Sequence, residues 1–161
     1  MSERTFLDPE STFGANQPCF GCGPAHPIGF RLKPYRQGDA VLVELTPGEQ
    51  YQGPPGLMHG GLVTTLADEL AAWTVLGLKE RFGFTAAIEA RLLRPVRIGR
   101  PVLGRGTITH DTARLLKISI SLVQDDLDAF RGTFTFALLD REAAERLLGG
   151  PLPETWQRFA R

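Results

Sequence analysis

The chain has 161 residues, of which 42% are hydrophobic, enough for a single domain with a real core and too many for a disordered segment. Lys+Arg and Asp+Glu number 18 each, so the formal net charge is zero and no global field draws the chain to nucleic acid or to an anionic membrane. The 2 cysteines are too few for a secreted disulfide framework, and Met1-Ser2-Glu3-Arg4-Thr5-Phe6 lacks the basic and then apolar opening of a signal peptide; the expectation is a soluble, cytoplasmic protein.

Residues 1–28 are rich in Pro, Gly and polar side chains and read as an irregular arm, with 29–161 as the single folded domain. Within the arm, Cys19-Phe20-Gly21-Cys22-Gly23 reads as a tight turn with two small thiols. As a zinc half-site the pair lacks its second half, although His26 is close, so no metal is expected. Phe30-Arg31-Leu32-Lys33 is strand-like up to Pro34, and Val41–Leu45 is a second strand after the turn-prone Gln37-Gly38-Asp39. Pro47–Gly56 is a loop.

A helix over about Gly60–Leu78 follows, apolar nearly all round and interrupted only by Asp68 and Glu69; Lys79 and Arg81 suit its last turn and Gly83 its C-cap. The two acids keep the run from being a charge-free membrane span. The period then changes from 3.6 to 2. Strands are expected at Thr85–Leu93, Val102–Thr109, Arg114–Val123 and Ala129–Leu139, with turns at His110-Asp111 and Asp125-Asp126. A short helix over Glu142–Leu148 stops at Gly149-Gly150-Pro151. Two strands, one buried helix and four strands in a meander make an α+β fold, a curved antiparallel sheet wrapped around one long central helix.

Carboxylates on a buried helix are costly unless they are paired, hydrogen-bonded or protonated. Catalysis explains them, and so does a structural salt bridge from Asp68 to an arginine of the sheet. His59-Gly60-Gly61 opens the helix. Glycines there leave amides unobstructed by a Cβ, and with the helix dipole behind them they can polarise a carbonyl oxygen. Asp68 lies about two turns further on and can face the same cleft. From there it can act as general base on water or as nucleophile. Periodicity alone does not choose between Asp68 and Glu69.

These segments resemble the hotdog-fold thioesterases, in particular the PaaI-like acyl-CoA thioesterase group. The likeness rests on Cys19–Gly23, on His59-Gly60-Gly61 with Asp68 nine residues after the histidine, and on Thr85–Gly99 through Arg94-Pro95-Val96. It spans about residues 19–139. It implies a hotdog homodimer or homotetramer with its sites at the subunit interface, hydrolysing an acyl-CoA to free acid and CoA without a cofactor. It assigns the oxyanion contact to the Gly60 amide, the carboxylate role to Asp68 and carbonyl positioning to His59. Glu69 assists or meets a partner group, and Thr85 reaches the site from the other subunit. Relatives carry an Asn or Gln shortly before the His-Gly-Gly; here Gly53 stands six residues before His59, and Gln52 is the nearest candidate.

Substrate contacts fall to Gly61 and Thr65, the latter equally able to back-bond within the helix. Arg94 and Arg97, within the run Arg91, Arg94, Arg97 and Arg100, suit CoA phosphates. Gly104-Arg105-Gly106 is too short for a dinucleotide fingerprint. A non-catalytic acyl-CoA-binding hotdog protein, acting as sensor or scaffold, and a hotdog hydroxyacyl dehydratase are the alternatives.

Overall fold

The alternation of Leu116, Ile118, Ile120 and Leu122 with Lys117, Ser119 and Ser121 generates the strand at the centre of the protein, with the four apolar side chains fully buried. The structure, a computed structural model, describes residues 2–161. Its strands are β1 (Arg4–Phe6), β2 (Tyr35–Gln37), β3 (Ala40–Leu45), β4 (Gly83–Leu92), β5 (Val102–Asp111), β6 (Leu115–Gln124) and β7 (Leu127–Leu138). Its α-helices are α1 (Pro9–Phe13), α2 (Gly60–Lys79) and α3 (Arg141–Leu148), with 3-10 turns at Glu49–Tyr51 and Glu154–Phe159. All neighbours pair antiparallel in one sheet of order β1-β2-β3-β5-β6-β7-β4. One face of that sheet wraps α2, as expected for a hotdog fold.

Helix α2 seats on the sheet through Val63, Leu66, Ala67, Leu70, Ala71, Thr74 and Val75, all buried. By length and composition alone it is apolar enough to cross a membrane; here those side chains form the core against β3, β5 and β6. It is not covered all round. Gly61, Thr64, Thr65, Asp68 and Ala72 follow helical spacing along a less covered side, next to β4.

Several elements depart from the sequence reading. β4 pairs with β7, not with β5, so only β5–β6–β7 form a meander and β4 is left as the sheet edge. Its ten residues are mostly exposed. The segment 30–33 is no strand: Phe30 and Leu32 are buried, but their amides bond to Phe20 and Gly21 of the arm (2.9 Å each), and pairing starts past Pro34 at Tyr35. The arm is not irregular throughout, since it contributes β1 and α1. Phe13 of α1 stacks edge-on against Trp73 of α2 and Trp156 of the C-terminal segment, with ring centroids 5.7 and 5.0 Å apart.

The C-cap of α2 is Glu80 in the left-handed conformation, not Gly83, which opens β4. His110 and Asp111 belong to β5, beyond a bulge at Ile108/His110. Asp125 and Asp126 both take positive φ (52° and 61°), giving the two-residue hairpin whose twist matches its strands.

Candidate active site

The loop before α2 is fastened on both sides. The His59 amide donates to Tyr51 O (2.8 Å), the Met58 amide to Val96 O (2.8 Å), and Leu57 bridges Arg97. His59 is thereby held as the N-cap of α2, with its Nδ1 accepting the Gly61 amide at 3.0 Å. One first-turn amide is thus spent on the cap. The Gly60 amide donates to no protein acceptor among the described residues, so it is the donor free for a ligand. A Cβ on Gly60 would sit 3.1 Å from Leu92 Cδ2, which shows how closely β4 borders the helix start.

Asp68 borders the same strand. Its Oδ1 accepts the Thr85 hydroxyl at 2.8 Å, within one chain. Among the described residues Asp68 forms no ion pair, so the structural salt bridge to a sheet arginine is absent. Burial pushes its carboxyl above the usual carboxylate range, and the Thr85 hydrogen bond pulls the other way.

Thr85 and Leu92 are seven positions apart, an odd spacing that would put them on opposite faces of a regular strand. The register shift between Thr85 and Ala87 inserts one residue and restores phase. Thr85, Ile88 and Leu92 then pair with Phe136, Phe134 and Phe130, all buried toward the helix. The bulge re-aims the strand so that one face of β4 meets both Gly60 and Asp68.

The remaining candidates separate. Gln52 spends its amide on its own loop, accepting from Gly56 N at 2.7 Å and donating to Glu49 O at 3.1 Å. Thr65 back-bonds to Gly61 O at 2.9 Å. Arg94 donates to Asp128 O at 2.6 Å and, with Arg97, lines a cavity of about 210 Å³ beside the segment that fastens the His59 loop. Arg100 and Arg105 are engaged by Asp125 (2.7 Å) and Asp39 (3.4 Å).

Glu69 turns away from Asp68, as successive helical positions must, and meets the arm. Its Oε1 accepts the Trp73 indole N–H at 3.2 Å, and its oxygens lie 3.4 and 3.5 Å from Cys19 Sγ. Burial and then the Cys19 charge raise its carboxyl to about 8. A hydrogen bond with Cys22 lowers the Cys19 thiol to about 5, while the same bond and burial push Cys22 up. His26 stands apart from this cluster, its Nδ1 accepting the Gly29 amide at 2.8 Å. The arm's approach to Glu69 spans 50 residues of sequence and left no local signal.

Residues 55–129 match the family model of the Thioesterase superfamily. Among solved structures, a thioesterase superfamily protein aligns at a TM-score of 0.68 and 22% identity over 74% of this chain and 59% of its own, so this chain spans less than two thirds of it. A protein from Streptococcus mutans bound to acetyl CoA aligns at 0.59 and 19% identity, over 62% of this chain and 81% of that one. Zebrafish thioesterase superfamily member 2 aligns at 0.65 and 19%, over 74% and 92%. None of the curated proteins matches. With the sheet and central helix described above, these likenesses show the hotdog fold, and the match to the Thioesterase superfamily covers residues 55–129, just under half of the chain.

Proposed function

We propose that the protein is an acyl-CoA thioesterase of the PaaI-like group, working without a metal or organic cofactor in the reaction, from a site shared by two copies of the chain. The observation that carries this is the common border of Gly60 and Asp68 on β4. Eight helical positions put the two about 12 Å apart along the axis, whereas reacting groups must come within roughly 3–3.5 Å. One chain alone does not bring both onto one carbonyl.

The free edge of β4 supplies the second copy. An antiparallel pairing about a two-fold near Ile88 sets Leu92 of one chain opposite Phe84 of the other, next to its Thr85. Since Leu92 touches Gly60 and Thr85 holds Asp68, the Gly60 amide of one copy then lies against the Asp68 carboxylate of the other. Exposed Ile88 (44%) and Leu92 (54%) become covered, and the ten-residue open edge no longer invites aggregation.

In this site the Gly60 amide polarises the thioester carbonyl. Asp68 either takes a proton from the attacking water or attacks the carbon itself, forming an anhydride that water then opens. In both cases the C–S bond breaks, CoA leaves as a thiolate that gains a proton, and the acid is released. His59 holds the helix start, and Arg94 and Arg97 stand beside it for the CoA phosphates. The acetyl-CoA and thioesterase relatives support this substrate class.

Purified protein is expected to release free thiol from a panel of acyl-CoAs with water as sole acceptor. Saturable acyl-CoA binding without thiol release would instead make it a sensor. Ile88→Lys puts a like charge against its own copy at the two-fold, so sedimentation should show monomer at concentrations where wild type is dimeric, with activity falling in parallel. Full activity from the monomer would sink the shared site.

A further inference from the structure

The reaction proposed above leaves Cys19, Cys22 and Glu69 unused. Both Sγ atoms and a Glu69 oxygen lie within 4.8 Å of one another. The backbone is cut to let them meet: a Cβ on Gly21 would fall 2.3 Å from Glu69 Cδ, and one on Gly23 would fall 2.6 Å from Cys19 O. The Gly23 amide closes the turn onto Cys19 O at 2.9 Å.

Each donor is oriented by a neighbour. The Trp73 indole fixes Glu69, Gln17 Oε1 accepts the Cys19 amide at 3.0 Å, and Gln17 Nε2 lies 3.4 Å from Cys22 Sγ. Two ligands at about 2.3 Å (S) and 2.1 Å (O) from one tetrahedral ion stand roughly 3.6 Å apart, close to the 3.4 and 3.5 Å between Cys19 Sγ and the Glu69 oxygens. All three donors line a cavity of about 160 Å³ under the arm. The Arg81 side chain lines it too, with a buried Nε that has no acceptor.

We propose that Cys19, Cys22 and Glu69 form a three-ligand site for zinc or a similar thiophilic divalent cation, with its fourth position open to this cavity. Two thiolates select soft or borderline ions over magnesium and calcium, and three protein ligands with one open position define a zinc centre that can take water or a small anion. Loading deprotonates the thiols that carry protons, and the ion stays bound to both sulfurs and one carboxylate oxygen. Two thiolates and a carboxylate exceed the ion's charge by one, which Arg81 at the cavity offsets. Glu69 is the second half that the cysteine pair lacks in the sequence. The ion would tie the arm to the middle of α2, one residue from Asp68.

The test uses reduced, metal-free full-length protein titrated with cobalt(II) and then zinc(II). Expected are one ion per chain, a thiolate-to-cobalt charge-transfer band with tetrahedral d–d absorption, and loss of both when zinc displaces cobalt. Cys19→Ser combined with Cys22→Ser should abolish the band, and Trp73→Phe, which frees only the Glu69 support, should weaken binding about 10- to 100-fold. In the wild type, zinc should slow alkylation of Cys19 and Cys22, read residue by residue by mass spectrometry, which keeps the question open to test even if a variant misfolds. Absence of the charge-transfer band, or alkylation equally fast with and without zinc, overturns the site.

Discussion

Asp68→Asn should reduce kcat for thiol release by about 100- to 10,000-fold, the usual contribution of a positioned acid–base group, with KM little changed. Asparagine keeps the shape of the side chain and an oxygen that still accepts the Thr85 hydroxyl, so position is retained and only the basic or nucleophilic oxygen is lost. The same substitution should leave folding stability equal or higher. Burial raises the Asp68 carboxyl above its ordinary range, so its ionised form is held less well by the folded chain than by the unfolded one. A neutral amide removes that cost and leaves no cation orphaned, since Asp68 has no ion-pair partner among the described residues. Lower activity with an unchanged or raised melting temperature is the mark of a residue kept for chemistry. A large fall in melting temperature, or activity retained in full, would assign Asp68 a structural role instead.

The helix and the strands after it were legible because their residues obey a local rule. Leu116–Leu122 alternate, Asp125-Asp126 marks its hairpin, and the run after His59-Gly60-Gly61 is too apolar to lie on a surface. What the sequence hid depends on partners distant along the chain. Nothing local says that β4 skips β5 to pair with β7, and that choice leaves β4 at the edge beside Gly60 and Asp68. The bulge at Thr85/Ala87, which phases Thr85 with Leu92, is likewise set by the register against β7. Asp68 and Glu69 are equivalent in a helix that reads as apolar on every side; the arm's return to Trp73 separates them, placing Glu69 with the cysteines and Asp68 against β4. Gln52 is the amide nearest the histidine in sequence, yet its loop turns that amide onto its own backbone.

Gly106→Ala should destabilise the protein by about 2–3 kcal/mol, the upper part of the range for overpacking a core. On β5, Gly104 and Gly106 face α2. A Cβ at Gly104 would come 2.7 Å from Leu70 Cδ2, and one at Gly106 only 2.1 Å from Thr74 Oγ1. Thr74 is fully buried, and its hydroxyl donates back to Leu70 O at 2.8 Å, so it has little room to turn. The helix must lift off the sheet or break that bond. Glycine at 104 and 106 is therefore the seat of the central helix, which is why the pair occurs with no phosphate-binding loop around it. For a chain of this size the loss corresponds to a melting temperature lower by roughly 2–4 °C per kcal/mol, compared at one protein concentration because oligomerisation shifts apparent stability. Thr74→Ala removes the clashing oxygen together with its local hydrogen bond and should be nearly neutral alone. Combined with Gly106→Ala it should recover most of the lost stability, a coupling within the 0.5–3 kcal/mol (approximately) seen between touching residues. Additive effects of the two substitutions would show that the helix does not rest on Gly106. Because Thr74 lies on the same rigid helix as Gly60 and Asp68, lifting α2 in Gly106→Ala should also lower thioester turnover, and Thr74→Ala should restore stability and turnover together.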